Sequence, residues 1–201
     1  SGADNNGDPG QCSSDAQGVG GAGGKGFEGD VTNGEPGDYY FNDSLVTDYY
    51  GVKGGSASGG FMTITRISDN LADETFYAIP GSSTTWSPDE KATVNLFAKG
   101  GDGQAGSGNS GDEPGGSGAY VSMEMKLGTS DTLELIPGQA GYEERYGVDD
   151  PRYGVPGEGF NRGGDPGGFD VYLGGSGGGS TAVRLNNNLM FELGGGGGGG
   201  A

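Results

Sequence analysis

The chain has 201 residues, of which 50 are glycine and only 30% are apolar, so its hydrophobic core must be thin. Its formal net charge is −18 at pH 7, from 28 acidic and 10 basic residues, and it contains no histidine. Such an acidic surface repels nucleic acid and anionic membranes. No apolar run is long enough to span a bilayer. Because histidine is missing, Ser–His and Cys–His catalytic pairs are excluded. We therefore predict a non-enzymatic protein that neither binds nucleic acid nor inserts into a membrane.

The first 69 residues are acidic, rich in glycine and interrupted by the turn signals DPG, EPG and GG. Only their last part, FMTITRI at 61–67, has the β-branched and aromatic composition of a strand. We therefore divide the chain into an N-terminal segment, 1–69, and a glycine-rich β domain, 70–201, with one continuous domain as the alternative. The chain starts with Ser rather than Met, which suggests a processed mature end or a remnant of cloning.

A stretch near the start of the chain, DNNGDPGQCSSD, has the ligand spacing of a calcium-binding loop. Oxygen ligands at alternate positions allow one loop to wrap around a Ca²⁺ ion. Two positions of the stretch depart from the calcium-loop pattern: position 6 is Pro instead of the usual Gly, and position 12 is Asp, which is shorter than the usual Glu. Acidic turns also match such a pattern by chance. The candidate ligands of Ca²⁺, the one cofactor that we expect, are Asp4, Asn6, Asp8, the Gly10 carbonyl and Asp15.

Two single residues in the N-terminal part bear on covalent modification. Cys12 is the only cysteine, so no disulfide can form within the chain and a cysteine-rich zinc site is excluded. It is either an inert thiol or the partner of a cysteine in another chain. Asn42 begins the tripeptide Asn-Asp-Ser, which fits the acceptor pattern for N-glycosylation, a short motif that often matches without being used.

Short apolar runs of strand-like composition continue along the chain, and none shows a 3.6-residue period. The clearest alternation lies in 119–127, where every second residue from Val121 to Leu127 is apolar. We therefore predict an all-β fold, an antiparallel β-sandwich. The predicted strands are FMTITRI (61–67), FYAIP (76–80), TTW (84–86), ATVNLFA (92–98), AYVSMEMKL (119–127), TLELI (132–136), GFDVYL (168–173), TAVRL (181–185) and LMFEL (189–193).

Two pairs of these strands are joined by short connections. We expect 119–127 to pair with 132–136 across the turn GTSD. The strands 181–185 and 189–193 are joined by three consecutive asparagines. The first pair is predicted to be an antiparallel hairpin with one solvent-facing side.

The glycines lie in blocks between the strands instead of in a regular repeat. Glycine weakens the interior of a helix or strand, so a chain this rich in it must use it where only a bare backbone fits. Packed polyproline II segments, with three residues per turn, are such a place, and a flexible Gly/Ser linker is the alternative. A Gly-X-Y period is missing, which excludes collagen, and GGSGGGST lacks the lysine and the following helix of a phosphate-binding loop. The blocks are 18–26, 54–60, 100–111, 174–180 and 194–200.

Seven tyrosines in glycine-rich loops are candidates for a binding surface. A tyrosine presents a flat apolar face and a polar tip, which suits a sugar or a protein receptor. Large rings also fill the gaps that glycine leaves, so a packing role is equally open. The candidates are Tyr39, Tyr40, Tyr49, Tyr50, Tyr142, Tyr146 and Tyr153.

Strands and glycine runs alternate in three stretches, TTWSPDEKATVNLFAKGGDGQAG (84–106), GGSGAYVSMEMKLGTSDTLELIPGQAG (115–141) and GGSGGGSTAVRLNNNLMFELGGGGGGG (174–200). In this order they resemble the opening Trp-x-x-Pro strand, the central strand pair and the closing strand pair of a glycine-rich domain family. This family occurs in phage tail-fibre proteins, secreted bacterial proteins and the extracellular region of anaplastic lymphoma kinase receptors. The resemblance implies a β-sandwich carrying packed glycine-rich polyproline II segments, a role outside the cell, and no catalytic residues. The acidic segment 142–167 is longer and more charged than the family pattern.

Two functional classes agree with these features. The first is a structural subunit of an extracellular fibre or filament, on a cell or virion surface, that assembles with copies of itself through glycine-rich segments and strand edges. The second is a receptor- or glycan-binding adhesin of a phage tail fibre or cell surface. An adhesin should concentrate its tyrosines in exposed loops at one end, whereas a filament subunit needs complementary surfaces at both ends.

The glycine run at 194–200 suggests how copies would assemble. In the family this run continues into further glycine-rich segments and a final strand, and residues 18–67 look like that continuation placed at the front. The order fits a circular permutation, in which 194–200 packs within its own chain, or a head-to-tail polymer, in which it packs against the next subunit. The polymer model predicts that deletion of 194–201 abolishes filaments and leaves the monomer folded.

Overall fold

The structure, a computed structural model, describes residues 36–42, 44–45, 50–52, 60–67, 75–106, 114–144, 153–169 and 172–200. These residues contain fourteen strands and no helix, and all the strand pairs among them are antiparallel, which confirms the predicted all-β class. In chain order the strands are β1 (Tyr39–Phe41), β2 (Tyr50–Val52), β3 (Phe61–Ile67), β4 (Thr75–Ala78), β5 (Thr84–Trp86), β6 (Ala92–Lys99), β7 (Tyr120–Leu127), β8 (Leu133–Ile136), β9 (Tyr142–Glu144), β10 (Tyr153–Val155), β11 (Gly168–Phe169), β12 (Tyr172–Leu173), β13 (Thr181–Leu185) and β14 (Asn188–Leu193).

Two five-stranded sheets form a sandwich. The first sheet has the spatial order β1-β14-β13-β8-β5, and the second has the order β2-β7-β6-β3-β4. Both sheets contribute to one hydrophobic core, in which Leu135 and Phe191 of the first sheet and Leu96 and Val121 of the second are fully buried. Two antiparallel sheets that share a core in this way make the predicted β-sandwich.

Alternation along the strands separates the buried and the exposed faces of the second sheet. In β7 the buried residues Val121 and Met123 alternate with the exposed residues Ser122 and Glu124, as the sequence predicts. β3 and β6 alternate in the same way over most of their length. Successive side chains of a strand point to opposite faces, so one face of this sheet enters the core and the other meets solvent.

The predicted hairpin between β7 and β8 is wrong. β7 pairs with β2 and β6, whereas β8 pairs with β5 and β13, so the two strands belong to opposite sheets. The turn GTSD carries the chain from one layer to the other, because the apolar faces of both strands must meet in the core. The turn is closed by a 2.7 Å hydrogen bond from the Gly128 backbone N–H to the Asp131 carboxylate.

The strands β13 and β14 form an antiparallel hairpin. Its turn residues Asn186 and Asn187 have φ angles of 50° and 67°. Two successive positive φ angles are typical of a type I′ turn, whose twist matches that of the flanking strands, and asparagine adopts this conformation more readily than most residues. Asn186 also links this turn to the β7–β8 connection, since its Oδ1 accepts from the Thr132 backbone N–H and its Nδ2 donates to Asp131.

The predicted single strand GFDVYL is in fact two short strands. β11 and β12 pair with each other, with Gly168 opposite Leu173 and Phe169 opposite Tyr172, so the chain reverses direction between them. β9 and β10 form a second small antiparallel pair. A run of six residues with strand-like composition does not reveal such a reversal, because composition alone is the same for one strand and for two.

Strands on both sides of residue 70 share the same sheets. β1 lies beside β14, β2 lies beside β7, and β3 lies between β4 and β6. The described part of the N-terminal segment therefore contributes to both layers of the sandwich.

Candidate functional surfaces of the sandwich and the glycine bundle

Glycine-rich segments lie side by side beyond one end of the sandwich, and we call them together the glycine bundle. They belong to no strand or helix, and residues 174–180 and 194–200 are buried throughout. Each segment adjoins a strand: β6, for example, runs directly into 100–106, and β14 runs into 194–200. The bundle comprises 36–38, 100–106, 114–119, 137–141, 156–167, 174–180 and 194–200.

Hydrogen bonds between the segments recur at every third residue. The Gly100 backbone N–H donates to the Ala119 carbonyl, and three residues later Gly103 donates to Gly116, both at 2.9 Å. A polyproline II helix has three residues per turn and no hydrogen bonds of its own, so this period indicates the predicted packing of polyproline II segments. The other donor–acceptor pairs with the same step are Gly101–Gly179, Gln104–Ser176, Gly116–Gly197, Ala119–Gly194, Gly175–Gly199, Gly178–Gly196, Gly196–Gly101 and Gly199–Gln104.

Neighbouring segments donate to one another in rings of three. Segment 100–106 donates to 174–180, which donates to 194–200, which donates back to 100–106. A second ring passes from 100–106 to 114–119, then to 194–200 and back. Buried backbone groups need hydrogen-bond partners, and these rings supply them without forming a sheet. The bundle thereby buries backbone while using few apolar side chains.

The spaces between the segments have no room for side chains. A Cβ on Gly103 would lie within 3.0 Å of the Gly197 carbonyl, and a Cβ on Gly196 would lie equally close to the Gly116 carbonyl. These backbone atoms cannot move aside without breaking the hydrogen bonds of the rings. The bare backbone of glycine is therefore required at these positions.

The run 194–200 packs within its own chain. Gly194 donates to the Asp38 carbonyl at 2.6 Å, and Gly196 donates to the Gly101 carbonyl at 2.8 Å. Of the two arrangements considered for this run, the structure shows the intramolecular one. Contacts between copies are therefore to be sought on other surfaces.

A buried ion pair joins the sandwich to the bundle. Lys99, the last residue of β6, donates from Nζ to both carboxylate oxygens of Asp102, at 2.6 and 2.7 Å. Asp102 also accepts from the Gly118 backbone N–H, and the Thr181 hydroxyl donates to the Lys99 carbonyl. Buried charges are tolerated when they are paired and fully hydrogen-bonded, so this group is structural.

A second buried carboxyl has fewer partners. Glu192 is fully buried, and its Oε1 accepts from Asn161 Nδ2 at 2.5 Å, whereas its Oε2 has no hydrogen-bond partner in the described part of the chain. Burial raises the pKa of Glu192, and hydrogen bonds from Ser180 and Asn161 oppose that rise. The fold thus favours the protonated form of Glu192 more than water would.

An open pocket of about 350 Å³ lies at the end of the sandwich that is farthest from the bundle. We call it the lysine pocket, because Lys91 and Lys126 line it together with Ala92, Thr93, Leu127 and Gly128. Neither lysine forms an ion pair with another described residue. The remaining described cations are each paired with a carboxylate, namely Arg66, Lys99, Arg162 and Arg184. Sequence reasoning missed the pocket, since only the pairing of β6 with β7 brings the two lysines together.

An aromatic ladder crosses the solvent-facing side of the second sheet. Phe97 stacks on Phe61 and on Tyr120, with ring centroids 5.1 and 6.0 Å apart. At the β4 edge of the same sheet, Tyr77 and Ile79 are 71% and 69% exposed. None of these residues was a predicted site, although their place on the otherwise polar face of alternating strands was a signal in the sequence.

The predicted binding tyrosines lie on different strands. Tyr39 and Tyr40 are on the edge strand β1, where Tyr39 packs against the core and meets the ring of Phe41 edge-on at 5.3 Å. Tyr142 on β9 is 42% exposed. Tyr39 thus packs against the core, whereas the ring of Tyr142 is accessible. Tyr50 and Tyr153 are on β2 and β10, and Tyr49 and Tyr146 lie outside the described residues.

The predicted modification and calcium sites lie mostly outside the described residues: Asp4, Asn6, Asp8, Gly10, Cys12 and Asp15. Among the residues that are described, no group of three or more acidic or cysteine side chains could hold a metal ion, and no helix has the length and hydropathy needed to cross a membrane. Asn42 is described, and both ends of its amide are engaged: Nδ2 donates to the Leu189 carbonyl and Oδ1 accepts from the Ser44 backbone N–H.

Comparisons of the chain with protein-family models, with curated proteins and with solved structures found no match. A functional interpretation therefore rests on three features described above. These are the closely packed glycine bundle, the lysine pocket at the opposite end, and the exposed aromatic side chains.

Proposed function

We propose that the chain is a non-enzymatic structural subunit of an extracellular fibre or filament, assembling with copies of itself. The observation that carries the proposal is the glycine bundle, whose segments are joined by backbone hydrogen bonds at every third residue. Because its segments leave no space for a Cβ, the bundle is a densely packed rod, and rigidity follows from such packing. A rod continuous with a sandwich suits a load-bearing or spacing role.

We also propose that the chain belongs to the glycine-rich domain family that it resembles. In each of the stretches 84–106, 115–141 and 174–200, strands of the sandwich adjoin segments of the bundle. That arrangement is the one the resemblance implies. The location outside the cell, on a cell or virion surface, rests on this membership.

An adhesin that binds a receptor or a glycan is the second candidate function. Tyr142 supports it, because this exposed ring lies on β9, directly after the bundle segment 137–141. An exposed tyrosine carried by a rigid rod offers a large contact area at low cost in side-chain entropy. The same feature would serve either a protein receptor or a sugar.

Negative-stain microscopy and light scattering of the purified chain, with and without Ca²⁺, test the first proposal. Filaments or fibres whose length increases with protein concentration are expected. Monomers at every concentration contradict the filament role and leave the adhesin. For an adhesin, the change Tyr142→Ala should abolish binding to receptor-bearing cells, whereas Tyr77→Ala, which removes a more exposed ring from the sandwich, should not.

A further inference from the structure

The most exposed large apolar side chains of the described structure lie together at one edge of the second sheet. Tyr77 in β4 and Ile79, directly after that strand, are 71% and 69% exposed. On the adjoining strand β3, Phe61 and Ile67 are also exposed. Only 30% of the chain is apolar, so composition does not account for such a cluster, and clusters of this kind mark contact surfaces. We call the stretch from Thr75 to Ile79 the β4 edge.

The backbone of the β4 edge is open to a further strand. β4 is the last strand in the order β2-β7-β6-β3-β4, and β3 is its one partner among the described strands. Alternate residues of an edge strand direct their N–H and C=O groups away from the neighbouring strand, so these groups can bond to an added strand. Proteins usually protect an edge with a charge, a proline, a bulge or a very short strand.

The β4 edge lacks these protections. From Thr75 to Ile79 it contains neither a charged residue nor a proline, and β4 pairs with β3 residue by residue without a bulge. β4 is also the longest of the four edge strands of the two large sheets, with four residues against three in β1, β2 and β5. The edge is therefore suited to bind an extended chain.

The chemistry of the β4 edge favours an uncharged strand as its partner. Backbone groups along the edge bind a strand, and Tyr77 and Ile79, at alternate positions, meet apolar side chains on one face of that strand. A charged ligand would find no opposite charge on this edge. A sugar would find the ring faces of Phe97 in the adjoining aromatic ladder covered, because Phe61 and Tyr120 stack on them.

A second copy of the chain supplies such a strand, namely its own β4. When a two-fold axis at Tyr77 relates two antiparallel copies of β4, the two Tyr77 side chains lie directly opposite each other. Thr75 then lies opposite Ile79 of the second copy. Aromatic side chains that face each other in this way stabilise antiparallel strands. Each copy has a net charge of −18, so contact between copies is opposed least where both surfaces are uncharged.

We infer that two copies of the chain associate through their β4 edges, which pair antiparallel and join two five-stranded sheets into one continuous sheet. This inference rests on the proposed assembly of the chain with copies of itself, and it names one contact surface for that assembly. The contact is isologous, so growth into a filament requires a second contact elsewhere on each copy. Pairing over so short a stretch buries less than about 1,200 Å² in total, which is typical of weak contacts, so association should depend on protein concentration.

The effect of salt on this contact follows from its lack of charge. Salt screens the repulsion between two copies of net charge −18, and the contact contains no ion pair that salt would weaken. The Debye length falls from about 30 Å at 0.01 M salt to about 8 Å at 0.15 M and about 3 Å at 1 M. Sedimentation velocity should therefore show association roughly tenfold or more stronger at 0.15 M than at 0.01 M NaCl, with no decline at 1 M.

Two variants with the same change in net charge locate the contact. Tyr77→Lys places two ammonium groups directly opposite each other at the two-fold axis, where like charges destabilise strand pairing. Thr85→Lys places the same charge on the exposed central residue of β5, an edge strand of the first sheet. At 0.15 M NaCl, Tyr77→Lys should weaken association by roughly tenfold or more. Thr85→Lys should leave it unchanged or slightly strengthen it, because that change lowers the net negative charge.

Disulfide cross-linking tests the register of the two strands. In a background with Cys12→Ser, which removes the only thiol of the chain, Tyr77→Cys places one thiol of each copy at the two-fold axis. Directly opposite residues have Cβ atoms about 4.5–5.5 Å apart, close to the span of a disulfide. Oxidation with copper phenanthroline should convert most of this variant into a disulfide-linked dimer on a non-reducing gel. Thr85→Cys in the same background should stay largely monomeric on that gel.

These measurements separate the inference from the proposed function. Equal effects of Tyr77→Lys and Thr85→Lys, equal cross-linking of the two cysteine variants, or association that weakens steadily as salt rises would overturn the β4 contact and leave the filament proposal standing. Cross-linked dimers without any larger assembly would support the β4 contact and contradict the filament. A wild-type chain that is monomeric at all three salt concentrations contradicts both and leaves a monomeric adhesin, for which Tyr77→Ala is the control given above. Far-ultraviolet circular dichroism of each variant shows whether its fold is retained.

Discussion

At the scale of single residues, Glu192 is a fully buried carboxyl that is only partly hydrogen-bonded among the described residues. It sits in the middle of β14, fully buried, with one carboxyl oxygen bonded to Asn161 and the other without a partner in the described part of the chain. Its pKa is raised by burial in the folded state. In the unfolded chain the same group has a pKa of about 4.3. Folding therefore favours the protonated form.

The sign of the resulting pH dependence is fixed by that shift. A raised pKa in the folded state means that the contribution of Glu192 to stability is fully present below pH of about 4.3 and is lost as the pH rises through its folded-state pKa. Glu192→Gln keeps an oxygen for Asn161 and cannot ionise. We expect its melting temperature to exceed that of the wild type at pH 7, by about 2–4 °C for each kcal/mol gained.

The control for this prediction is the same comparison in acid. At pH 4 and below, the wild-type carboxyl is protonated, so the two proteins should melt within a degree or so of each other. The remaining carboxylates titrate identically in both, so their effects cancel. A variant that is less stable than the wild type at pH 7 would show that Glu192 is an ionised, stabilising group.

At the scale of elements, the bundle segments differ from ordinary loops in what their glycines do. Gly103 and Gly196 face backbone carbonyls that leave no space for a Cβ. Gly128, in the connection between β7 and β8, has an open neighbourhood in which the nearest group to a Cβ would be the Asp131 carboxylate at 3.6 Å. Glycine is thus a packing requirement in the bundle and a replaceable residue in the connection.

Alanine substitutions test this difference between glycines. We expect Gly103→Ala and Gly196→Ala each to lower the free energy of unfolding by about 1–3 kcal/mol, because overpacking forces the backbone apart. Gly128→Ala should be neutral or stabilising by up to about 1 kcal/mol, because it restricts the unfolded chain. Denaturant titration monitored by tryptophan fluorescence measures all three. Equal effects of the three changes would contradict the packing account and favour a flexible linker.

Sequence reasoning was most successful for the elements whose signal is local. The alternation of β7 is readable within a few residues, and this prediction is confirmed. The asparagines that join β13 and β14 were also visible in the sequence, and they form the turn of that hairpin. The strands that pair with β7 could not be predicted, because a short turn can join two strands of one sheet or connect strands of two different sheets. The three-residue period of the bundle hydrogen bonds is likewise not visible in the sequence, because it is a property of the pairing between backbone amides and carbonyls.

The candidate surfaces were harder to predict, for the same reason. Lys91 and Lys126 are distant in sequence and meet only because Ala92 of β6 pairs with Leu127 of β7. Tyrosines, by contrast, were chosen one by one from composition. That choice does not distinguish Tyr39, which packs against the core, from Tyr142, whose ring is accessible.

At the scale of the whole molecule, the sandwich and the bundle depend on each other. β6 and β14 continue into bundle segments, and the ion pair of Lys99 with Asp102 spans the junction. Segment 194–200 takes part in both hydrogen-bonded rings. Its removal would leave buried amides and carbonyls of three other segments without partners, at a cost of about 1–3 kcal/mol for each group.

Deletion of residues 194–201 is the corresponding test. We expect the truncated chain to lose cooperative thermal unfolding, because the lost hydrogen bonds together are comparable to the roughly 5–15 kcal/mol by which proteins are usually stable. Near-ultraviolet circular dichroism and differential scanning calorimetry measure this. Cooperative melting at an unchanged temperature would instead fit the head-to-tail polymer, in which this run packs on the next subunit and the monomer stays folded without it.

The two rings also determine when the chain can fold. Each ring unites segments from widely separated parts of the sequence. Segment 100–106 therefore cannot complete its hydrogen bonds until 194–200, which is roughly 90 residues later in the chain, has been synthesised. Contacts between residues so far apart in sequence slow folding. On the ribosome, the earlier glycine segments emerge before their last partner exists and cannot bury their amides. The described structure can therefore form only once 194–200 has been made, in a step limited by the closure of long loops.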